Sequence, residues 1–308
     1  MKSRAWLMVV IGAVVAACTS GSGSTGIGAE DTGSGYQAGP GPQGGRALYS
    51  QFRSGQRLVL QKREPIAVTP ADFRDRLATM ETTPGSFDGV FLRLPTTGDA
   101  ITRGATVTAS AIARDLEPLY ALKPTRLRYN FAVVPMQRDL DPFDDWSVVI
   151  ANVAALAKVA REAGLVGIVI DNEVQAGLRA DPPHDRRFPT RTLADYRAQT
   201  QLVGKKIMQA IVTEFPDATV VVQYRAAGAD PSSPVNRVRR QSETAQLLGS
   251  LFAGFAEAKV ASSLLVKGGI DDDLHGAEQF DAAAAWHRTE LSSATIDSAF
   301  TDTIGSTF

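Results

Sequence analysis

Short apolar runs of the kind that form buried strands alternate with helical patterns over most of the chain. This alternation is typical of repeated βα units. The predicted strands cover residues 57–61, 87–94, 126–134, 164–173, 219–224, 263–267 and 295–300. The predicted helices cover residues 69–80, 109–122, 145–163, 193–215, 243–258 and 279–290.

Seven predicted strands favour an α/β fold of the (β/α)8 type, the TIM barrel. The barrel is expected to be incomplete at its C-terminal end, because no sequence remains there for an eighth strand and its helix. A doubly wound open sheet is the alternative. It would usually carry a Gly-rich phosphate loop after its first strand, and none is found; Gly268-Gly269 lacks the spacing and the following helix start.

The stretch Gly164-Leu-Val-Gly-Ile-Val-Ile-Asp-Asn-Glu173 contains the main candidate site. It is an apolar, β-branched run that ends in two acids two residues apart, Asp171 and Glu173. Because strand side chains alternate between faces, both carboxylates are expected to point the same way. In parallel α/β folds the carboxyl ends of strands carry the binding and catalytic groups. The alternative is a strand end capped by two solvated acids.

The N-terminus has the features of a processing signal. Lys2 and Arg4 precede an apolar stretch that is too short to span a bilayer permanently and that ends at Ala17. The sequence Val-Ala-Ala-Cys18 resembles a bacterial lipobox, in which Cys18 is lipidated; an ordinary secretory peptide with an incidental cysteine is the alternative.

These features predict a signal peptide over 1–17, a Gly/Ser-rich tether over 18–45 and a barrel domain over 46–308. The expected location is extracytoplasmic, with a lipid on Cys18 as the membrane anchor. Thr19 follows the cysteine where an Asp would indicate inner-membrane retention, so the outer membrane or the cell surface is favoured.

Charge and composition argue against several other functions. The net charge is −1 and no basic face stands out, so nucleic acid is an unexpected partner. With one cysteine no internal disulfide can form. The three histidines are far apart in sequence, so no catalytic metal site is predicted. No cofactor motif is present either, nor the Gly-x-Ser-x-Gly elbow of serine esterases.

Several short motifs, taken in order, resemble secreted bacterial glycoside-hydrolase-like TIM-barrel proteins over roughly residues 58–300. They are Met80-Glu81, Phe87-Asp-Gly-Val90, Phe143-Asp-Asp-Trp146, Asn152, Ala160–Leu165, Gly167–Glu173, Gly268-Gly269, Ala277–Asp281 and Trp286. The resemblance implies a polysaccharide or oligosaccharide substrate. Such proteins carry an acid after the sixth strand in a Gly-Gly-Glu-like turn, and here the turn reads Gly-Gly-Ile-Asp271. Either Asp271 replaces that acid, or the chain is an inactive glycan-binding or scaffolding member.

Glycoside hydrolysis needs two carboxyl groups, one of them protonated as an acid and the other acting as base or nucleophile. Residues i and i+2 of a strand lie roughly 6.5 Å apart along the backbone. The pair could therefore serve alone, or Glu173 could work with an acid from another strand. Glu173 is expected to be the proton donor because it lies nearer the strand end, where substrate would enter, and Asp171 is expected to tune or orient it. Asp271 is the third catalytic candidate.

Four further residues are candidates for substrate binding. Tyr224 ends the fifth predicted strand, in the manner of a positioning tyrosine of chitinase-like barrels, or it is a rim residue. Arg128 and Asn130 share one strand face and are expected to bind sugar hydroxyls or to fill the barrel interior. Trp146, at a helix start, is a candidate stacking platform or a packing residue.

Overall fold

The computed structural model shows an α/β chain whose strands form one sheet in the order of the sequence. It describes residues 8–11, 58–61, 68–82, 88–136, 141–172, 188, 190–224, 243–258, 263–268 and 304–307. The strands are β1 Met8–Ile11, β2 Leu58–Gln61, β3 Gly89–Arg93, β4 Phe131–Pro135, β5 Gly167–Asn172, β6 Thr219–Tyr224, β7 Ser263–Gly268 and β8 Ile304–Thr307. The α-helices are α1 Pro70–Thr82, α2 Ala109–Leu116, α3 Ser147–Glu162, α4 Leu193–Glu214 and α5 Glu243–Ala258.

Strands β2 to β8 pair in parallel with their neighbours in the sequence. One α-helix lies between each pair of successive strands from β2 to β7, which is the connectivity of a βα barrel. The architecture is an incomplete (β/α)8-type barrel, and the predicted fold class is confirmed. The last described parallel strand is Ile304–Thr307. The strand predicted at 295–300 and the helix predicted at 279–290 lie outside the described residues.

Strand β1 comes from the segment that the sequence indicates as a signal peptide. It pairs antiparallel with β2, with Met8 opposite Gln61 and Ile11 opposite Leu58. A chain cut before Cys18 would lack β1.

Helix ends follow from local sequence. Thr69 and Thr192 accept hydrogen bonds from the N–H groups of Asp72 and Asp195 (3.1 Å each), and both aspartates bind back to the threonine N–H, which makes two capping boxes. Helix α3 ends at Glu162 and is followed, after Ala163, by Gly164, whose φ of +73° suits glycine. The Leu165 N–H then reaches the Ala160 carbonyl at 3.0 Å, which closes a Schellman motif.

Two predicted boundaries were wrong. Helix α2 ends at Leu116 instead of continuing to residue 122, because Pro118 cannot continue an α-helix and a 3₁₀ turn follows over Glu117–Leu119. The strand predicted from residue 126 begins at Phe131. Before Phe131, side chains bind backbone groups that would otherwise pair between strands. Glu81 accepts a hydrogen bond from the Arg126 N–H, and Asn130 accepts one from the Val90 N–H and donates one to the Leu127 carbonyl.

The start of β5 requires glycine. A Cβ at Gly167 would lie 1.7 Å from the Thr219 carbonyl oxygen on the neighbouring strand, and the obstacle is rigid backbone. Glycine at position 167 therefore lets β5 lie close to β6 where their pairing begins, and the pairing continues along β5 to Asp171.

Glu81, at the end of α1, fixes the segment that leads into β4. Its Oε1 accepts hydrogen bonds from the Thr125 N–H (2.6 Å) and the Arg126 N–H (2.9 Å), and its Oε2 accepts one from the Thr125 hydroxyl (2.9 Å). Partial burial by itself would raise the pKa of the Glu81 carboxyl. The hydrogen bonds from Arg126, Thr125 and Leu127 outweigh it and lower the pKa below its usual value.

We predict that Glu81→Gln lowers the free energy of unfolding near neutral pH by about 1–2 kcal/mol, since a charged acceptor of backbone N–H groups is lost. The folded-state pKa of Glu81 is depressed, so its contribution is fully present above the unfolded pKa of about 4.3 and is lost as pH falls through the folded value. Urea unfolding from pH 7 to pH 2.5 measures this. The difference between wild type and variant should shrink in the acid range, while Glu162→Gln, an exposed control on α3, stays close to wild type throughout.

Candidate functional site at the carboxyl end of the barrel

The strands present two different faces, and only one of them belongs to the hydrophobic core that the helices form. One set of alternate residues packs with the helices in a single hydrophobic core: Val90, Leu92, Ala132, Val134, Ile168, Ile170, Val220 and Val222. The other set is buried but lies outside that core and faces the barrel interior: Phe91, Phe131, Val133, Val169 and Val221. The rings of Phe91 and Phe131 meet edge to face there, with their centroids 5.7 Å apart.

Asp171 lies in the inward-facing set, two residues after the fully buried Val169. It stands near the carboxyl end of β5, opposite Pro135 of β4 and Gln223 of β6. Its carbonyl accepts a hydrogen bond from the Met136 N–H at 2.8 Å, which extends the β4–β5 pairing to the end of β4. Unlike Val169, Asp171 is partly exposed. A carboxylate thus follows an apolar interior at the open end of the barrel.

The other catalytic candidates, Glu173 and Asp271, lie outside the described residues, as does Cys18. Their predicted roles stay predictions. Tyr224 is described by its backbone, which pairs with Asn172 and Gly268. It therefore stands at the carboxyl end of β6, one register position beyond Asp171.

Asn130 and Arg128 do not meet Asp171. Both precede β4 at the amino end of the barrel, and Asn130 is five residues below the level of Asp171, roughly 16 Å along the strand direction. Asn130 is buried; its Oδ1 accepts the Val90 N–H (3.1 Å) and its Nδ2 donates to the Leu127 carbonyl (2.8 Å). The Arg128 Nε donates to the Thr125 carbonyl. Both side chains form hydrogen bonds that stabilise the segment before β4, and neither is near the sugar site predicted for them.

Trp146 is the second candidate that the structure places differently. It is 4% exposed and belongs to the helix-packed core, and its indole N–H donates to the Asp141 carbonyl at 3.0 Å. A stacking platform must offer a ring face to the ligand. Trp146 offers none, and it is the packing residue that the sequence allowed as the alternative. Next to it, the N–H of Ser147 donates to the Asp145 carboxylate at 2.8 Å.

Sequence reasoning missed a buried carboxylate, Asp141, in the loop between β4 and α3. One of its oxygens accepts the Phe143 N–H (2.9 Å), and the other accepts the Tyr196 hydroxyl (2.8 Å). Tyr196 belongs to the first turn of α4. The bond therefore ties the loop before α3 to the start of α4. No local signal connects two residues that are 55 positions apart.

An aromatic cluster surrounds this bond. Phe143 contacts Tyr196 and Phe188, with ring centroids 5.0 and 5.8 Å away, and the Arg191 guanidinium lies 5.0 Å from the Phe143 ring. Phe188 is 37% exposed; within the described part of the chain it and Leu202 are the exposed large apolar residues. Phe188, and not Trp146, thus supplies exposed aromatic surface in this cluster.

The loop between β3 and α2 is held by buried side chains. Asp115 Oδ2 accepts the N–H groups of Thr96 and Thr97 and the Thr97 hydroxyl, at 3.2, 2.8 and 2.7 Å. Asn152, on α3, accepts the Val107 N–H (2.8 Å) and donates to two loop carbonyls, those of Ile101 and Ala105.

At the start of this loop, Arg93 ends β3 and pairs with Asp99 at 2.7 Å. Sequence reasoning missed Arg93 as well. The signal was present, because Arg93 is a charged residue that ends an apolar strand just as Asp171 does.

Among the described residues, no three His, Cys, Asp or Glu side chains come together in a way that would hold a metal ion. No helix in the same ranges is both long and apolar enough to cross a membrane.

Comparisons with known proteins give no family assignment. No family model matches the chain, and no curated protein matches it. Solved structures with some likeness include a β-mannanase from the blue mussel Mytilus edulis, with 14% identity and a TM-score of 0.39 over 79% of this chain and 73% of that one. Another is a psychrophilic glycoside hydrolase family 10 endo-β-1,4-xylanase, with 12% identity and a TM-score of 0.39 over 78% and 83%.

The similar structures also include an enzyme with a different kind of name, an oxaloacetate acetylhydrolase in complex with oxalate. It shows 11% identity and a TM-score of 0.32 over 70% of each chain. All three TM-scores are below 0.5, so these likenesses carry no argument about activity. The fold class rests on the strand order and register of the chain itself.

Proposed function

We propose that the chain is a glycoside hydrolase that cleaves an extracytoplasmic polysaccharide by carboxylate acid/base catalysis. The observation that carries the proposal is the position of Asp171. It is a partly exposed carboxylate on the inward face of β5, at the end of the barrel where the strands terminate. In enzymes of this architecture the reacting groups collect at that end.

The proposed chemistry uses Asp171 together with Glu173. Glu173 protonates the oxygen of the leaving sugar as the glycosidic bond breaks, and water adds to the anomeric carbon. Asp171 tunes or orients Glu173, because a nearby negative charge raises the pKa of a carboxylic acid and keeps it protonated closer to neutral pH. Asp271 is the candidate for the second catalytic carboxylate, which acts as base or nucleophile.

The surroundings of Asp171 support such a role. General acid/base catalysis needs groups that are held in place before the substrate arrives. The loop after β3 is held by Asp115 and Asn152, and the loop before α3 is joined to the first turn of α4 by the bond between Asp141 and Tyr196. Asp171 and Phe188 are both partly exposed, so polar and aromatic side chains are available to a sugar chain.

We also propose that the protein works outside the cytoplasm, held to the outer membrane or the cell surface by a lipid on Cys18. The support is the order of the N-terminal features: a basic start, a short apolar stretch, small residues before the cysteine, and a Gly/Ser-rich tether after it. Such a tether would let the barrel reach polymeric glycans while remaining anchored.

Activity of site variants tests the hydrolase proposal. Release of reducing sugar ends is measured over a panel of soluble polysaccharides. Glu173→Gln should lower the rate by about 10²- to 10⁴-fold, since the proton donor is lost. Asp171→Asn should lower the rate and move the alkaline limb of the pH profile to lower pH, because the pKa of the Glu173 carboxyl is no longer raised by a neighbouring charge. Asp217→Asn, an exposed acid in the turn before β6 at the other end of the barrel, should keep wild-type rates.

Full activity in Glu173→Gln would rule out the proposed chemistry. If wild type binds glycans but shows no turnover on any of them, the alternative holds, and the chain is a glycan-binding or scaffolding lipoprotein with the same fold.

Lipidation is tested by expressing the full chain in a bacterial host fed with a radiolabelled fatty acid. Wild type should take up the label and partition into a detergent phase, and Cys18→Ser should do neither, because the single thiol that can carry the lipid is gone. Equal labelling of both proteins would contradict the anchor.

A further inference from the structure

Arg93 occupies a position comparable to that of Asp171, on another strand. It is the last residue of β3 and follows Phe91 on the inward face, whereas Val90 and Leu92 pack against the helices. Its side chain is 41% exposed. The carboxyl end of the barrel thus carries a guanidinium as well as a carboxylate.

Asp99 holds the Arg93 side chain in place. The Arg93 Nη2 lies 2.7 Å from one oxygen of Asp99, and the Arg103 Nη2 lies 3.5 Å from the other. The contact of Arg93 with Asp99 uses one N–H group of the five that a guanidinium carries, so further donors remain for a ligand.

The ion pair is not needed to hold the loop after β3. Asp115 and Asn152 together bind that loop through six hydrogen bonds, most of them buried. In addition, the Thr102 hydroxyl donates to the Pro135 carbonyl at 2.8 Å. Exposed ion pairs contribute little to stability in comparison with such bonds. Loop fixation therefore does not account for a paired arginine on the inward face.

We propose that Arg93 forms a subsite for an anionic group of the substrate, so that the chain acts on acidic glycans. A planar carboxylate, as in a uronic acid, matches two parallel N–H groups of a guanidinium; a sulfate ester is the other source of suitable oxygens. The inference rests on the proposed glycan-binding function of this end of the barrel.

The spacing fits a chain of sugars. By register, Arg93 is level with Val133 and Val169, two residues below Asp171 and two strands away. Strand spacing and rise put the two residues on the order of 10 Å apart at the backbone. Arg93 would therefore bind the acidic group on a sugar neighbouring the one at Asp171, and it would position substrate without taking part in bond cleavage.

Calorimetric titration with defined oligosaccharides tests the subsite. The probes are oligogalacturonate, its carboxyl-reduced neutral counterpart and a sulfated galactan oligosaccharide, each titrated into the full chain. Wild type should bind an acidic probe, and Arg93→Gln should weaken that binding roughly 10- to 100-fold while leaving neutral binding unchanged. Arg93→Lys should recover part of the loss. Preference between the carboxylate and sulfate probes identifies the anionic group.

Arg74→Gln is the matched control, because Arg74 is also an exposed arginine paired with an aspartate, Asp75, but on helix α1. It should bind like wild type. The melting temperature of Arg93→Gln should stay within a few degrees of wild type, since an exposed ion pair is lost. Equal affinity of Arg93→Gln and wild type for the acidic probes, or a wild type that does not distinguish acidic from reduced probes, would overturn the subsite.

The outcomes separate this inference from the hydrolase proposal. If wild type binds acidic glycans through Arg93 but hydrolyses none, the subsite stands and hydrolysis fails. If neutral glycans are cleaved and acidic ones are not bound, hydrolysis stands and the subsite fails.

Discussion

The alternation of side chains along the parallel strands is the constraint on which the site depends. One set of strand residues is locked into the helix-packed core, so the other set must face the barrel interior. Asp171 belongs to the second set because Ile168 and Ile170 belong to the first. A slip of one residue in β5 would bury a carboxylate under α3 and α4, at a cost that no partner in the apolar core would offset. The hydrophobic packing of the helices therefore determines where the acid points.

The carboxyl end of the barrel has loops held by buried hydrogen bonds and charged side chains that are partly exposed. Buried polar side chains, Asp115, Asn152 and Asp141, accept hydrogen bonds from loop backbone groups or from a neighbouring hydroxyl. The partly exposed charges of Asp171 and Arg93 stand on strand ends. The exposed groups that would contact substrate are thus positioned by buried interactions that contact neither solvent nor substrate.

Most of the secondary structure was predictable because it follows local rules. Thr69 and Gly164 begin and end helices through short-range hydrogen bonds that are visible in the sequence, and β6 and α5 have the predicted bounds. The site was less predictable, because long-range contacts decide it. Nothing near Asn130 in sequence shows that it binds the backbone of β3, and nothing near Trp146 shows that its ring is enclosed. Arg93 could have been found by the rule that selected Asp171.

The most direct measurement of the central claim compares neighbouring positions of β5. Asp171→Cys and Ile170→Cys are made in a Cys18→Ser background, which has no other thiol, and each is exposed to a charged thiol reagent under native conditions. The account predicts that the thiol at position 171 reacts on the order of 100-fold faster or more, because position 170 is reached only when the barrel opens. Similar rates, or a protected position 171, would show that the carboxylate does not stand at an accessible mouth, and the proposed site would be wrong.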